Sequence, residues 1–138
     1  MKAAQYYGFQ SLARGLLDEE DVQGITAAYS PIYDRVLVPW LPKGKRTAHI
    51  YEAACGNGIF LRWARNRGWQ QLEGSDLSER ESSMARSAGF DVKSADSIAE
   101  LKAKPAECFD AIVAIDFLEH LEKGVFMEFL AEAARVLR

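Results

Sequence analysis

The chain has 138 residues, the length of one domain able to bury a core, and its 49% hydrophobic and 27% charged content is globular rather than disordered. A net charge of −3 weighs against a nucleic-acid or anionic-membrane surface as its main partner. Its two cysteines, Cys55 and Cys108, form no metal-ligand spacing and no disulfide framework. With no leader pattern at Met1 and no long apolar run, the expected compartment is a reducing cytoplasm, and no metal is expected.

Residues 1–47 read as a helical lead-in. Tyr6 to Leu17 places Tyr6, Phe9, Leu12, Ala13, Leu16 and Leu17 at helical spacing. Asp18 to Asp21 is an acidic run that reads as a break or as the start of the next helix, where acids suit the N-terminal dipole. A further helix is predicted over Ile32 to Trp40, with Pro31 at its opening, and Leu41 to Lys45 reads as a loop.

Residues 48–138 alternate strand and helix. Ala48 to Ala54 is the first predicted strand, and Cys55-Gly56-Asn57-Gly58 turns it into a helix over Ile59 to Arg67. Gln71 to Asp76 is the second strand. A helix from Ser78 to about Ala88 follows it, and Ser78 with Glu81 fits a capping box. Phe90 to Ala95 is the third strand and Ser97 to Lys102 a short helix. Phe109 to Ile115, nearly all apolar, reads as a fourth strand buried on both faces. Lys123 to Arg138 is an amphipathic helix. This alternation implies right-handed crossovers and an α/β fold with a parallel sheet.

In such a sheet a ligand sits at the carboxyl ends of the strands. Those ends here are Glu52 to Gly58, Asp76, Asp96 and Asp116, so each lies at or beside an acid. Gly56 and Gly58 let a ligand approach the turn backbone, and the helix that follows offers free N–H groups. Asp76 follows Gly58 by 18 residues, the spacing of a carboxylate that reaches ribose hydroxyls, and Asp96 lies 20 further on, placed to contact a base. A phosphate-gripping loop would need Gly-Lys-Ser/Thr, but Gly58 is followed by Ile59-Phe60. A dinucleotide site would need a small residue where Leu61 stands, which disfavours NAD or FAD. A nucleoside cofactor without a pyrophosphate remains.

Glu-Ala-Ala-Cys-Gly-Asn-Gly, Gly-Ser-Asp-Leu-Ser, Ser-Ala-Asp-Ser and Phe-Asp-Ala-Ile-Val-Ala-Ile-Asp-Phe-Leu-Glu-His-Leu resemble, in order and spacing, the four successive motifs of class I S-adenosylmethionine-dependent methyltransferases. The likeness covers residues 48–138 and is nearest to the small-molecule branch, which Tyr33-Asp34 and Trp40-Leu41-Pro42 also resemble. It implies a Rossmann-like sheet of order 3-2-1-4. It also implies that Glu52, Ala54, Cys55, Gly56 and Gly58 hold the methionine moiety of S-adenosylmethionine. Asp76 would then bind the ribose, Leu77 pack on the adenine, and Asp96, with Ser97 beside it, accept from the adenine amino group. Asp116 would sit near the transferred methyl; a helix N-cap ahead of Glu119 is the competing role.

The implied reaction is methyl transfer to a small-molecule acceptor. His120 is the candidate base if the acceptor must lose a proton, against a packing or capping role. Tyr29 and Tyr33 read as core aromatics that can also close over a cofactor, and Cys55 as a small filler. Two departures stand out. Ala54 occupies a position where the family usually has glycine, and the chain ends at Arg138, where the family continues into further strands. The chain is therefore expected to be truncated, which leaves open a rival reading as a binding module without turnover. Strand 4 would then lie at an edge, covered by a second copy of the chain or by the N-terminal helices.

Overall fold

The computed structural model describes residues 17–138. The predicted helix over Tyr6 to Leu17 lies, apart from Leu17, outside the described residues. The first described helix, α1 (Glu19–Val36), begins at the acidic run. Asp18 and Asp21 form a reciprocal capping box: the Asp21 N–H donates to the Asp18 carboxylate (2.9 Å) and the Asp18 N–H to that of Asp21 (3.0 Å). Pro31 therefore lies inside the helix, which corrects the start expected at Ile32. The ring removes one backbone bond, but α1 is held by its cap and by a buried face of Val22, Thr26 and Tyr33. The Ser30 and Thr26 hydroxyls donate back to the Thr26 and Val22 carbonyls, both at 2.8 Å, as such residues do inside helices.

The remaining elements follow the predicted rhythm: β1 (His49–Ala53), α2 (Ile59–Asn66), β2 (Gln71–Asp76), α3 (Glu79–Ser87), β3 (Asp91–Ser94), α4 (Ser97–Ala103), β4 (Ala111–Ala114), a 3-10 turn (Leu118–His120) and α5 (Lys123–Val136). The strands are parallel, in the order β3-β2-β1-β4. This is the expected α/β Rossmann-like arrangement.

Successive side chains of a strand point to opposite faces, and here each face is covered by helices. On one side Ile50 and Leu72 pack with Tyr33 of α1, Phe60 and Trp63 of α2 and Ala85 of α3. On the other, Tyr51 and Ala53 pack with Ile98 and Leu101 of α4 and Phe129 and Val136 of α5. Each of these large apolar side chains contributes roughly 1.5–3 kcal/mol on full burial. The alternation puts Glu52 on the Ile50 side, under α1.

Strand β4 departs from expectation. Only Val113 is buried within it, because β4 has β1 on one side and, among the described residues, no full strand on the other. Its approach is partly engaged by the end of the chain: the Cys108 and Phe109 N–H groups donate to the Val136 carbonyl (2.8 and 3.0 Å), and the Arg138 N–H to that of Phe109 (3.0 Å). Helix α1 packs on α2.

Candidate functional site

A cleft of about 350 Å³ opens at the carboxyl ends of β1, β2 and β4. Its floor is the turn after β1. Ala54, Gly56 and Gly58 there take φ values of 51°, 53° and 86°, so every second residue is left-handed. Glycine adopts this without penalty, whereas an L-residue such as Ala54 is held there at a cost of about 1–2 kcal/mol. A β-carbon added at Gly56 would make only an ordinary contact, with Glu81 Oε2 at 3.7 Å, so the backbone angle is what selects glycine there. The turn is closed by the Gly58 N–H on the Cys55 carbonyl (3.0 Å), and α2 starts immediately after it.

Asp76, at the end of β2, locks this turn. One carboxylate oxygen accepts from the Gly56 N–H (2.9 Å) and the other from the Ser78 N–H (2.8 Å). Burial raises its carboxyl above the usual range; the two N–H bonds pull the other way and Glu81 adds to the rise. Glu52 is buried beside it, and its Oε2 has no hydrogen-bond partner. Burial, and then the neighbouring Asp76, push the Glu52 carboxyl well up. The same burial, with Glu52 and Asp76 near, pushes the Cys55 thiol up, which fits a filler rather than a nucleophile.

Four carboxylates, Glu52, Asp76, Glu81 and Asp116, line the cleft, and no lysine, arginine or histidine does so among the described residues. The opposite wall of the cleft comes from α1, which contributes Ile25, Tyr29 and the buried Tyr33. Tyr33 stacks edge-on to Trp63 and near Tyr29, and its phenol is pushed up by burial and by the acids Glu52 and Asp116.

The cleft brings together Glu52, Ala54, Cys55, Gly56, Asp76 and Asp116. Asp116 is exposed at the mouth with φ 50°, a conformation aspartate tolerates better than most residues. The other predicted residues lie outside its lining. Gly58 caps α2, and Leu77, next to Asp76, is exposed. Asp96 caps α4 by accepting from the Ile98 and Ala99 N–H groups (3.0 and 2.9 Å), and Ser97 is turned into the protein. His120 sits on the 3-10 turn beyond Asp116, 3.9 Å from the Glu119 carboxylate.

Sequence reasoning gave no ligand role to Glu81, whose spacing from Ser78 signalled only a cap. The Ser78 hydroxyl does accept from the Glu81 N–H (3.3 Å), while its carboxylate side lines the cleft. Gly74, within β2, also shapes the turn. A β-carbon there would meet the Cys55 side chain and the Glu52 carbonyl at 3.0 Å, so β2 can lie this close to the turn only as glycine.

A family model described as a methyltransferase domain matches residues 51–138. Among solved structures, an S-adenosylmethionine-dependent methyltransferase from Archaeoglobus fulgidus superposes with a TM-score of 0.71 at 23% identity, covering 96% of this chain and 53% of that one. One from Mesorhizobium loti gives 0.60 at 28% identity, covering 76% and 48%. A magnesium protoporphyrin IX methyltransferase from Synechocystis, solved with bound S-adenosylmethionine, gives 0.66 at 21% identity, covering 94% and 66%. The chain thus spans about half of the first and second structures and two-thirds of the third. No curated protein matches it.

Proposed function

The chain belongs to the methyltransferase-domain family, and from that premise we propose that it transfers a methyl group from S-adenosylmethionine to a small-molecule acceptor. The observation that carries this reading is the cleft lined by four carboxylates and no cationic side chain among the described residues. When bound, the cofactor supplies a methyl on a cationic sulfonium, poised for in-line displacement. A buried carboxyl with an unpartnered oxygen, Glu52, suits the ammonium of its methionine part. The backbone of the Ala54 to Gly58 turn takes the polar ends beside that ammonium. Asp76 keeps lone pairs for ribose hydroxyls while fixing the turn, and Asp96 and Leu77 flank the adenine. Asp116, at the mouth, faces the acceptor side.

The protein's own contribution is alignment and the exclusion of water. Tyr29, Tyr33 and Ile25 of α1 close the cleft opposite the turn. Partners in this reading are the acceptor and a second copy of the chain along β4, in the cytoplasm; no described helix is long and apolar enough to cross a membrane.

Calorimetric titration with S-adenosylhomocysteine tests the reading. Micromolar binding is expected, weakened about tenfold or more by Asp76→Ala, or about 1.4 kcal/mol. No binding to the native chain sinks it. A second reading, cofactor binding without turnover, is favoured by one observation: His120 lies outside the cleft lining. Formation of S-adenosylhomocysteine in an acceptor screen, lost in His120→Ala with cofactor affinity unchanged, supports the enzyme reading with His120 as base.

A further inference from the structure

We propose that Ser97 is a positioning residue: it holds Ala54, the first residue of the cofactor turn, in its left-handed conformation at the end of a buried chain of hydroxyls. This rests on the reading of the cleft as the cofactor site. The Ala54 N–H donates to the Ser97 hydroxyl across 43 residues of sequence, at 3.0 Å. The Ser97 and Ser75 hydroxyls share a hydrogen bond of 2.8 Å, and Ser75 shares a short one with the Tyr51 phenol. All three side chains are buried: Tyr51 is 1% exposed, Ser75 0% and Ser97 5%.

The chain joins β1, β2 and the start of α4 and ends on the one residue of the turn that departs from glycine while needing a positive φ. An alanine there relaxes toward ordinary φ unless something holds it. Ser97 is itself fixed, because Asp96 caps the helix it opens. The loop after β3 therefore sets the geometry of the loop after β1, though Ser97 is not part of the cleft lining. Ser97 acts through Ala54 and not on the ligand.

The test compares the native chain, Ser97→Ala, Ala54→Gly and the double variant by titration with S-adenosylhomocysteine. Removing the acceptor leaves the Ala54 N–H unpaired in free and bound protein alike, which lowers stability but not affinity. The loss of affinity arises only from the freed alanine. Ser97→Ala is expected to weaken binding about tenfold, the scale set by the cost of returning a freed L-residue to the left-handed region. In the Ala54→Gly background the same change is expected to cost twofold or less, since glycine keeps the left-handed angle unaided. An equal loss in both backgrounds, or no loss in either, overturns the proposal.

Amide hydrogen exchange of the ligand-free protein is the second measurement. The Ala54 N–H is expected to exchange at least tenfold faster in Ser97→Ala, with the amides of α5 unchanged; unaltered exchange at Ala54 overturns the proposal. This arm does not depend on a ligand, so failure of the native chain to bind S-adenosylhomocysteine would count against the proposed function and leave the positioning role to be decided by exchange. Should Ser97→Ala fail to fold, Ser97→Cys, of similar size but a weak acceptor, is read in the same two assays.

Discussion

Glu52 is the residue whose chemistry is least comfortable without a ligand. Its carboxyl is buried, one oxygen lacks a partner, and the acid Asp76 is its neighbour, so ionisation in the folded protein is disfavoured. The sign of the linkage follows. A carboxyl raised by folding binds its proton more tightly in the native state. Its contribution to stability is therefore complete below the ordinary glutamate range, near about 4.3, and is lost as pH rises above it. Glu52→Gln removes this titration while keeping the shape. The melting temperature of Glu52→Gln, relative to the native chain, is expected to climb from pH 4.5 to pH 8. At the upper end the difference should reach about 1–3 kcal/mol in favour of glutamine. The other groups facing this cleft (Asp76, Glu81, Asp116, Tyr29, Tyr33 and Cys55) are common to both proteins, so the difference isolates Glu52. A difference that does not vary with pH would refute the assignment. On the proposed reading, in which Glu52 faces the ammonium of the ligand, the same substitution should weaken binding of S-adenosylhomocysteine while it raises stability.

At the scale of elements, the cleft depends on how α1 is fastened to α2. Near the start of α1, Glu19 pairs with the guanidinium of Arg62, whose side chain is only 5% exposed and whose Nε has no partner. Near its end, Asp34 takes both Nε and Nη2 of Arg67 (2.7 Å each) and the indole N–H of the buried Trp63 (3.0 Å). The Arg67 guanidinium, and then the Trp63 bond, hold the Asp34 carboxyl below its usual range. Between these two fastenings α1 presents Ile25, Tyr29 and Tyr33 to the cleft. An exposed pair adds little, but removing the partner of a buried arginine leaves its charge uncompensated. Glu19→Gln is expected to lower the melting temperature by about 5 °C and to weaken cofactor binding with it. Glu79→Gln breaks an equally ionic pair, with Arg86 on α3, away from α1, and is expected to do neither. Equal effects of the two substitutions in both assays would show that α1 is not tied down through Arg62.

For the molecule as a whole, what was legible in the sequence was local. The glycines at 56 and 58, the acids at the strand ends and the alternation of strand with helix are short-range signals, and the parallel sheet follows from them by handedness. What was not legible was set by neighbours distant in sequence. Pro31 signals a helix start, but the cap at Asp18 and the face packed on Trp63 override it. Ser97 lies next to the expected adenine acid, yet its hydroxyl turns inward to Ala54, a contact no spacing rule reports. The fourth strand looked doubly buried because its residues are apolar, whereas its burial is decided by what lies beside it. That edge carries the last prediction. Beyond Phe109, where Leu137 makes a single bridge, no strand among the described residues pairs with the outer side of β4. An apolar, uncharged edge of this kind is a template for another strand. The 15.4 kDa chain is therefore expected to form a dimer that dissociates on dilution, seen by sedimentation velocity across a concentration series. Strand pairing would use the outer edge of β4, whereas the turn after β1 and the Asp76 lock lie on its inner side and only Ile115 and Asp116 of the cleft follow β4, so dimer formation should leave the affinity for S-adenosylhomocysteine within about twofold. A single monomeric species at every concentration would mean that β4 is protected by its own residues, and that the edge plays no part in assembly.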